Sequence, residues 1–311
     1  MKNMQYNFEI LLERIVDSLN ISDLRKIHDL LFQIQESVIC VGNGGSSVVS
    51  EFANVLFNSY NGCATKTLDP RDLLYHNNNA YKNVFISSYS GENYGVETAF
   101  KNNCTKYLFS TKDLDSKRIR SITYKSDLLK EKSFISLGAT MMPISILLSY
   151  YKEGTVQEII EKVYNKCNNL EFDDINSNNF DCLSGFESSV ATKFIESTFV
   201  EAGLGNVIVH NRYDFCHGRT TLPYHDQNRT LIFFKVDDSD LTKLELECAK
   251  ELYEKIIILE SDYKDPILNN FDLTMQAMFL AKKIAEEKSK DLSAVEYSPV
   301  VKKLYYFKGT M

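Results

Sequence analysis

Several features that define other protein classes are missing from this chain of 311 residues. Its seven cysteines include no CxxC pair, and their odd number and irregular spacing predict neither a disulfide framework nor a zinc site. No apolar run approaches the roughly 18 residues that a membrane-spanning helix needs. The net charge is −7, so the chain has no general electrostatic attraction to nucleic acid. Free thiols and an amphipathic, rather than signal-like, N-terminus predict a cytoplasmic location.

Metal ligands in a recognisable spacing are also lacking. The histidines other than His217 have no ligand-like spacing to cysteines or carboxylates, so we expect no metal and no bound cofactor. Cys216 directly precedes His217, but sequence neighbours rarely face each other as a nucleophile and its base. We therefore expect Cys216 to be a small buried side chain.

The composition is that of an ordinary globular protein, with 44% hydrophobic and 25% charged residues. The length suggests two domains of about 150 residues each. A polar, asparagine-rich stretch at 171–179 is the best boundary between them. The predicted organisation is N-terminal helices at 1–35, a first domain at 36–172, a second domain at 173–298 and a tail at 299–311.

Strand and helix patterns alternate along both halves. Two amphipathic helices, with Ser22 as the N-cap of the second, are predicted at 4–19 and 22–35. The first half then has predicted strands at 37–42, 65–69, 83–91 and 105–110, with helices at 47–59, from about 94 and within 133–170. The second half has predicted strands at 180–186, 206–210, 230–236 and 255–261, with helices at 187–202, 241–252 and 268–288. This alternation predicts an α/β fold with a mainly parallel sheet in each half.

A glycine-rich turn, GNGGSS, follows the first predicted strand and leads directly into a helix. Backbone N–H groups at such a turn and at the helix N-terminus bind anions, and serine hydroxyls add further donors. A turn whose glycines serve only the backbone is the alternative without a ligand. The residues predicted to bind phosphate here are Asn43, Gly44, Gly45, Ser46 and Ser47.

A dinucleotide is the alternative ligand for this turn, because GxG opens it and Asp69 ends the next strand. However, Ser47 stands where the fingerprint has its third glycine. The third predicted strand also ends in hydroxyls, SSYSGEN, before another helix. Two such turns at adjacent strand ends would form one crevice, which favours a phosphate monoester. The second turn contributes Ser88, Tyr89, Ser90 and Asn93.

Together, GNGGSS and SYSGE resemble the sugar isomerase (SIS) phosphosugar-binding domain, whose motifs are G-x-G-x-S and S-x-S-G-x-[ST]. The resemblance implies a doubly wound, flavodoxin-like sheet. It also implies phosphate binding at Ser46, Ser88, Ser90 and Asn93. Asn93 stands where the family has Ser or Thr, so we expect weaker or reshaped binding of the phosphate.

The second half holds a carboxylate and an imidazole suited to aldose–ketose isomerisation. That reaction needs one group to open the sugar ring and another to move a proton between C1 and C2. Glu201 ends a predicted helix, and His217 follows sixteen residues later in DFCHGRTT. Taken singly, a glutamate at a helix end is more often solvated and a loop histidine more often structural.

The same spacing resembles the isomerase domain of glucosamine-6-phosphate synthase, which contains two SIS halves. The resemblance assigns proton transfer to Glu201. It assigns ring opening to His217, contributed by the neighbouring subunit of a homodimer with shared active sites. A lysine in that family's C-terminal tail is matched by Lys302, with Lys303 as the second choice.

Two departures from that domain leave its amino-sugar chemistry unpredicted. Thr198 replaces a lysine, and Arg219 replaces the proline after H-G. Arg219 is a candidate contact for a second anionic group of the substrate, and a structural salt bridge is the alternative.

The chain starts without a glutaminase domain, so the stand-alone double-SIS proteins, which include sugar-phosphate isomerases and fructosamine-phosphate deglycases, are the better match. We therefore expect an isomerase or deglycase that acts between C1 and C2 of a sugar phosphate. We expect no nucleic-acid or membrane partner. A non-catalytic phosphosugar sensor is the alternative. Such regulators usually carry an N-terminal helix-turn-helix, for which the segment before the first strand is too short.

Overall fold

The computed structural model describes residues 2–75, 80–92, 96–98, 103–114, 119–126, 128, 131, 133, 135–294 and 300. Among these residues, no helix combines the length and the apolar character that crossing a membrane requires.

The N-terminal segment forms α1 (Lys2–Glu9), α2 (Leu11–Ile21) and α3 (Leu24–Phe32), so the predicted first helix is divided in two. The prediction that Ser22 is the N-cap of the second helix is wrong. Ser22 ends α2 in an extended conformation, and its hydroxyl accepts a hydrogen bond from the Lys125 amide at 2.9 Å. Asp23 caps α3 instead by accepting from the Lys26 amide at 3.1 Å.

The first half builds a five-stranded parallel sheet in the order β2-β1-β3-β4-β5. Its strands are β1 (Val38–Val41), β2 (Thr65–Leu68), β3 (Asn83–Ser87), β4 (Thr105–Ser110) and β5 (Arg120–Thr123). The accompanying helices are α4 (Gly45–Ser59), α5 (Gly138–Tyr151) and α6 (Val156–Asn168). The sequence does not predict β5, because only Ile122 of its four residues is fully buried and the apolar pattern is too short.

The second half builds a four-stranded parallel sheet in the order β7-β6-β8-β9. Its strands are β6 (Asn179–Ser184), β7 (Asn206–Asn211), β8 (Thr230–Lys235) and β9 (Lys255–Glu260). Its helices are α7 (Ser189–Glu201), α8 (Asp240–Leu252) and α9 (Pro266–Glu287), and short helical turns between 212 and 225 join β7 to β8. The order repeats that of the first four strands, so the predicted α/β fold with two parallel sheets is confirmed.

The two halves share a central core. Helix α4 packs against both α7 and α9, and α9 is buried along most of its length. The largest cluster of buried apolar side chains includes Phe85 of β3 and Phe180 of β6. Smaller clusters, around Val84 and around Leu231, cover the outer faces of the two sheets. Helix α4 therefore lies at the contact between the two halves.

Candidate functional site

The glycine-rich turn connects β1 to α4 along a very close path. A Cβ added at Gly42 would lie only 2.2 Å from the carbonyl oxygen of Ser46, so the backbone can return this closely only at a glycine. Asn43 and Gly44 are exposed. The Ser47 hydroxyl donates to the Gly44 carbonyl at 2.7 Å and so closes the turn. The hydroxyl of Ser46 has no hydrogen-bond partner among the described residues, which leaves it free to bind a ligand.

The serine-rich turn follows β3, and its serine hydroxyls lie in two different environments. Ser88 is 1% exposed, and its hydroxyl accepts from the Gly91 amide at 3.1 Å. Ser90 is exposed, and its hydroxyl accepts from the Glu92 amide at 3.3 Å, so its own proton remains available to a ligand. Tyr89 is half-buried, and this burial raises the pKa of its hydroxyl. Ser88 therefore shapes the turn, whereas Ser90 faces solvent.

The two turns leave the same edge of the sheet from adjacent strands. Strands β1 and β3 pair in parallel, with Val41 opposite Ile86. The strand order reverses direction at this pair, which is the position where open α/β sheets bind ligands. The two turns therefore follow adjacent strands at the same sheet edge, and their convergence in one crevice stays a prediction.

The start of α5 closes a third side of this crevice, which the sequence analysis did not predict. A Cβ added at Gly45 would lie 2.8 Å from the Thr140 hydroxyl. The Glu131 carboxylate accepts hydrogen bonds from the amides of Leu137 and Gly138 at 3.2 and 2.9 Å. Burial raises the pKa of Glu131 despite these bonds. The first amides of α5 are thus committed to an internal carboxylate, whereas those of Ser46 and Ser47 in α4 donate to backbone carbonyls of the preceding turn.

Glu201 is the last residue of α7, as predicted. The helix ends in a Schellman motif, in which the Gly203 amide donates to Val200 at 3.1 Å and the Leu204 amide to Phe199 at 2.7 Å. The surrounding protein withdraws water from the Glu201 carboxyl and raises its pKa, although the side chain as a whole is exposed. A raised pKa makes the carboxylate a stronger base, and exposure lets a substrate reach it.

Residues 288–292, which follow α9, connect the end of α7 to the wall of the crevice. Lys288 and Lys290 donate hydrogen bonds to the carbonyls of Leu204 and Gly203, in the turn that follows α7. The Leu292 carbonyl then accepts from the Ile135 amide at 3.2 Å, just before α5 begins. A short series of contacts therefore links Glu201 to the predicted phosphate-binding turns.

His217 lies in an exposed bend between β7 and β8. The backbone reverses there, with φ −100° and ψ 40° at His217 and φ +108° at Gly218, a conformation that favours glycine. Phe215 anchors the bend, since it is buried and packs edge-on against the buried His210 ring at 5.4 Å between centroids. No hydrogen bond joins His217 to Glu201 or to another residue that the structure describes.

The predictions for Arg219 and Cys216, which lie beside His217, have different outcomes. Arg219 is exposed, donates to the Val209 carbonyl at 3.4 Å and has no ion pair with a described carboxylate. The prediction that Cys216 is buried is wrong, because Phe215 takes the inward position of the bend and turns the next residue to solvent. The remaining predicted site residues, Asn93 and Lys302, lie outside the described residues.

The corresponding crevice of the second sheet, after β6 and β8, is lined by carboxylates. Glu187, Asp237 and Asp238 lie in its two turns. The nearby cations are already paired, Arg212 with Glu245 through two hydrogen bonds of 3.0 and 2.9 Å and Lys235 with Asp238 at 2.9 Å. These carboxylates would repel a phosphate, so the two crevices of the chain are not equivalent. Across the described residues, no group of three or more potential ligands is arranged to hold a metal ion.

Solved structures of other proteins share this architecture over nearly the whole chain. Tagatose-6-phosphate ketose/aldose isomerase from Escherichia coli matches with a TM-score of 0.74 at 13% identity, over 96% of this chain and 97% of its own. The C-terminal domain of glucosamine-fructose-6-phosphate aminotransferase from Francisella tularensis matches with a TM-score of 0.65 at 13% identity, over 94% and 96%. This chain has the double-SIS fold.

Glucosamine-6-phosphate deaminase from Thermotoga maritima matches as well, with a TM-score of 0.60 at 15% identity, over 91% of this chain and 96% of its own. No protein-family model matches the chain, and no curated protein sequence does. Identities this low establish the double-SIS fold alone. The chemistry of the chain's own residues must therefore decide its function.

Proposed function

We propose that this protein moves a proton between C1 and C2 of a sugar phosphate, which isomerises it. The alternative substrate is the related fructosamine phosphate, in which the same proton transfer gives a C1 imine that water hydrolyses to the sugar phosphate and the free amine. The observation that carries the proposal is the crevice of the first sheet. Two turns with available hydroxyls meet there, and a short segment links them to a carboxylate of raised pKa. The structural neighbours support it, because their names refer to tagatose 6-phosphate isomerisation and to glucosamine 6-phosphate.

In this proposal the phosphate binds at the start of α4, where the helix dipole and the backbone N–H groups stabilise its negative charge. Ser46 and Ser90 donate hydrogen bonds from their hydroxyls, while Ser47 and Ser88 hold the turns in shape. Asn93 completes the set from the second turn. Arg219 binds a second anionic group of the substrate through its guanidinium.

Glu201 acts as the base once the sugar is in its open-chain form. It takes the proton from the carbon beside the carbonyl, and the electron pair of that C–H bond forms an enediol as the carbonyl oxygen gains a proton. Return of the proton from Glu201 to the other carbon, with loss of a proton from the second oxygen, completes the isomerisation.

His217 opens the sugar ring in this proposal. A second copy of the chain supplies it, in agreement with its exposure and with its lack of a hydrogen-bond partner among the described residues. The tail contributes Lys302 to the same step. The proposed assembly is therefore a homodimer with shared active sites.

The decisive test is proton exchange with solvent. Purified protein is incubated in deuterated water with hexose, heptose and glucosamine phosphates, and NMR follows deuterium at C1 and C2. We expect exchange with at least one of them, and we expect Glu201→Gln to slow it about 10²- to 10⁴-fold, the usual contribution of a general base.

Glu196→Gln is the matched control, because Glu196 lies on the same helix and is paired with Lys193 at 2.8 Å. It should leave the exchange rate unchanged. Thermal stabilisation by a sugar phosphate without any exchange would contradict the catalytic proposal and identify a phosphosugar sensor.

A further inference from the structure

Two helix ends face each other directly beside Glu201. Helix α7 ends in the Schellman motif described above, with Gly203 in the left-handed conformation at φ +61°. Helix α9 ends in a second one, in which the Ser289 amide donates to Glu286 at 3.0 Å and the Lys290 amide to Ala285 at 2.8 Å. Its left-handed residue is Ser289, at φ +53°. The chain reverses direction at Ser289, so the side chains of Lys288 and Lys290 both reach the end of α7.

Lys288 uses all its donors at this junction. Its ammonium group donates to the Leu204 carbonyl, to the Ser177 carbonyl and, at 2.7 Å, to the side-chain oxygen of Asn178. An ammonium group has three N–H bonds, so each has a partner. The same nitrogen lies 5.9 Å from the centre of the Phe180 ring. With every proton engaged, Lys288 fixes its surroundings and does not itself exchange protons with a substrate.

Lys290 completes the contact. Its ammonium group donates to the Gly203 carbonyl, the neighbour of the carbonyl held by Lys288. Both carbonyls lie in the turn just after α7, beside the negative end of the helix dipole, where cations are stabilising. The turn that follows Glu201 is therefore held by two positive charges from another helix end.

We propose that Lys288 and Lys290 are positioning residues that fix the C-terminal turn of α7 and, through it, the direction of the Glu201 carboxylate. The proposal rests on the proposed role of Glu201 in proton transfer. The same segment continues to Leu292, whose carbonyl binds Ile135 beside the crevice. It thereby sets the distance between the base and the phosphate-binding turns, and an error of about 1 Å in such a distance can cost about 10²-fold in rate.

The first test replaces each lysine by methionine, which keeps most of the apolar stem and removes the donors. Lys288→Met and Lys290→Met should each lower the kcat of C1–C2 proton exchange by about 10- to 100-fold, because the base is no longer aligned. The KM for the sugar phosphate should stay within about twofold, because the phosphate-binding turns are untouched.

Lys283→Met is the matched control, since Lys283 lies on the same helix and pairs with Glu287 at 3.1 Å, away from the junction. It should leave kcat unchanged. If the two lysine variants lose activity only in proportion to the fraction of unfolded protein, measured by circular dichroism at the assay temperature, their role is merely structural and the proposal fails.

A second test does not depend on turnover. The pKa of the Glu201 carboxyl is measured by ¹³C NMR, with its signal assigned from Glu201→Gln. In Lys288→Met and Lys290→Met we expect this pKa to fall toward that of an ordinary glutamate, because a loosened turn admits water to the carboxylate.

A rise of the Glu201 pKa would mean that the two ammonium charges act directly on the carboxylate, and it would overturn the positioning role. An unchanged pKa would overturn it as well. The two proposals fail separately in this design. Absence of exchange in the wild-type protein with every sugar phosphate defeats the proposed function, whereas the titration judges the positioning of Glu201 by itself.

Discussion

Ser289 holds a backbone conformation that glycine usually provides. A non-glycine residue in the left-handed region costs about 1–3 kcal/mol and persists only where its surroundings fix it. Ser289 lies between Lys288 and Lys290, which both bind the end of α7. The backbone strain therefore lies in the turn that places the ammonium groups of Lys288 and Lys290 at the end of α7.

Replacement of Ser289 by glycine should relieve this strain. We expect Ser289→Gly to raise the free energy of unfolding by up to about 1 kcal/mol, after allowance for the greater freedom of glycine in the unfolded chain. Urea denaturation measures the change. The kcat of proton exchange should stay the same, because both lysines keep their partners.

Gly203→Ala is the opposing variant at the facing turn. Gly203 is left-handed, and a Cβ there would lie 2.9 Å from the Lys290 nitrogen. We expect it to lower the free energy of unfolding by about 1 kcal/mol or more. If Ser289→Gly and Gly203→Ala change the free energy of unfolding in the same direction, the assignment of strain to Ser289 is wrong.

At the scale of the element, the glycine-rich turn and the serine-rich turn each contain one serine that stabilises the turn and one that is proposed to bind the ligand. Ser47 and Ser88 are engaged in hydrogen bonds that close their turns, and Ser88 is almost fully buried. Ser46 and Ser90 keep a hydroxyl proton available.

Alanine variants of the four serines should separate into two classes. Ser46→Ala and Ser90→Ala should raise the Kd for the sugar phosphate by about 10- to 100-fold, the effect of losing a hydrogen bond to a charged group. Their melting temperatures should hardly change. Isothermal titration calorimetry and thermal unfolding give the two quantities.

Ser47→Ala and Ser88→Ala should instead lower the melting temperature, because each removes a side-chain hydrogen bond that holds its turn closed. If these two variants weaken binding more than the first two while the protein stays folded, the assignment of roles within the turns is wrong.

Local sequence patterns predicted most of the long elements and both turns. GNGGSS and SYSGE lie at strand ends, where short-range spacing alone indicates an anion site. The partners of Glu201 could not be found in this way. Lys288 and Leu204 are 84 residues apart, and no local pattern marks their contact. Glu131 caps α5 from outside the usual capping spacing, so the third wall of the crevice was missed for the same reason.

At the scale of the whole molecule, the halves share one central core. Phe279 of α9 shows this, since its ring packs against Phe8 of α1 at 5.3 Å and against Tyr164 of α6 at 5.8 Å. Helices from both ends of the chain thus meet at one side chain. A core of this kind couples the stability of the two sheets.

The chain should therefore unfold in one cooperative step. Calorimetry should give a single transition, and Phe279→Ala should move that whole transition to lower temperature, with a loss of about 3–5 kcal/mol in the free energy of unfolding. Two separate transitions, of which the variant shifts only one, would show that the halves unfold independently.

The unequal charge of the two crevices has a consequence for how a ligand meets the molecule. A phosphorylated sugar that approaches at random finds two openings of the same topology, because the strand order of the first four strands is repeated. One opening offers hydroxyls and a helix N-terminus, while the other presents Glu187, Asp237 and Asp238. If the ligand were recognised by the shape of the opening alone, it would bind at either one. The carboxylates of the second opening disfavour a phosphate there, so a chain built from two similar halves offers the proposed ligand a single destination.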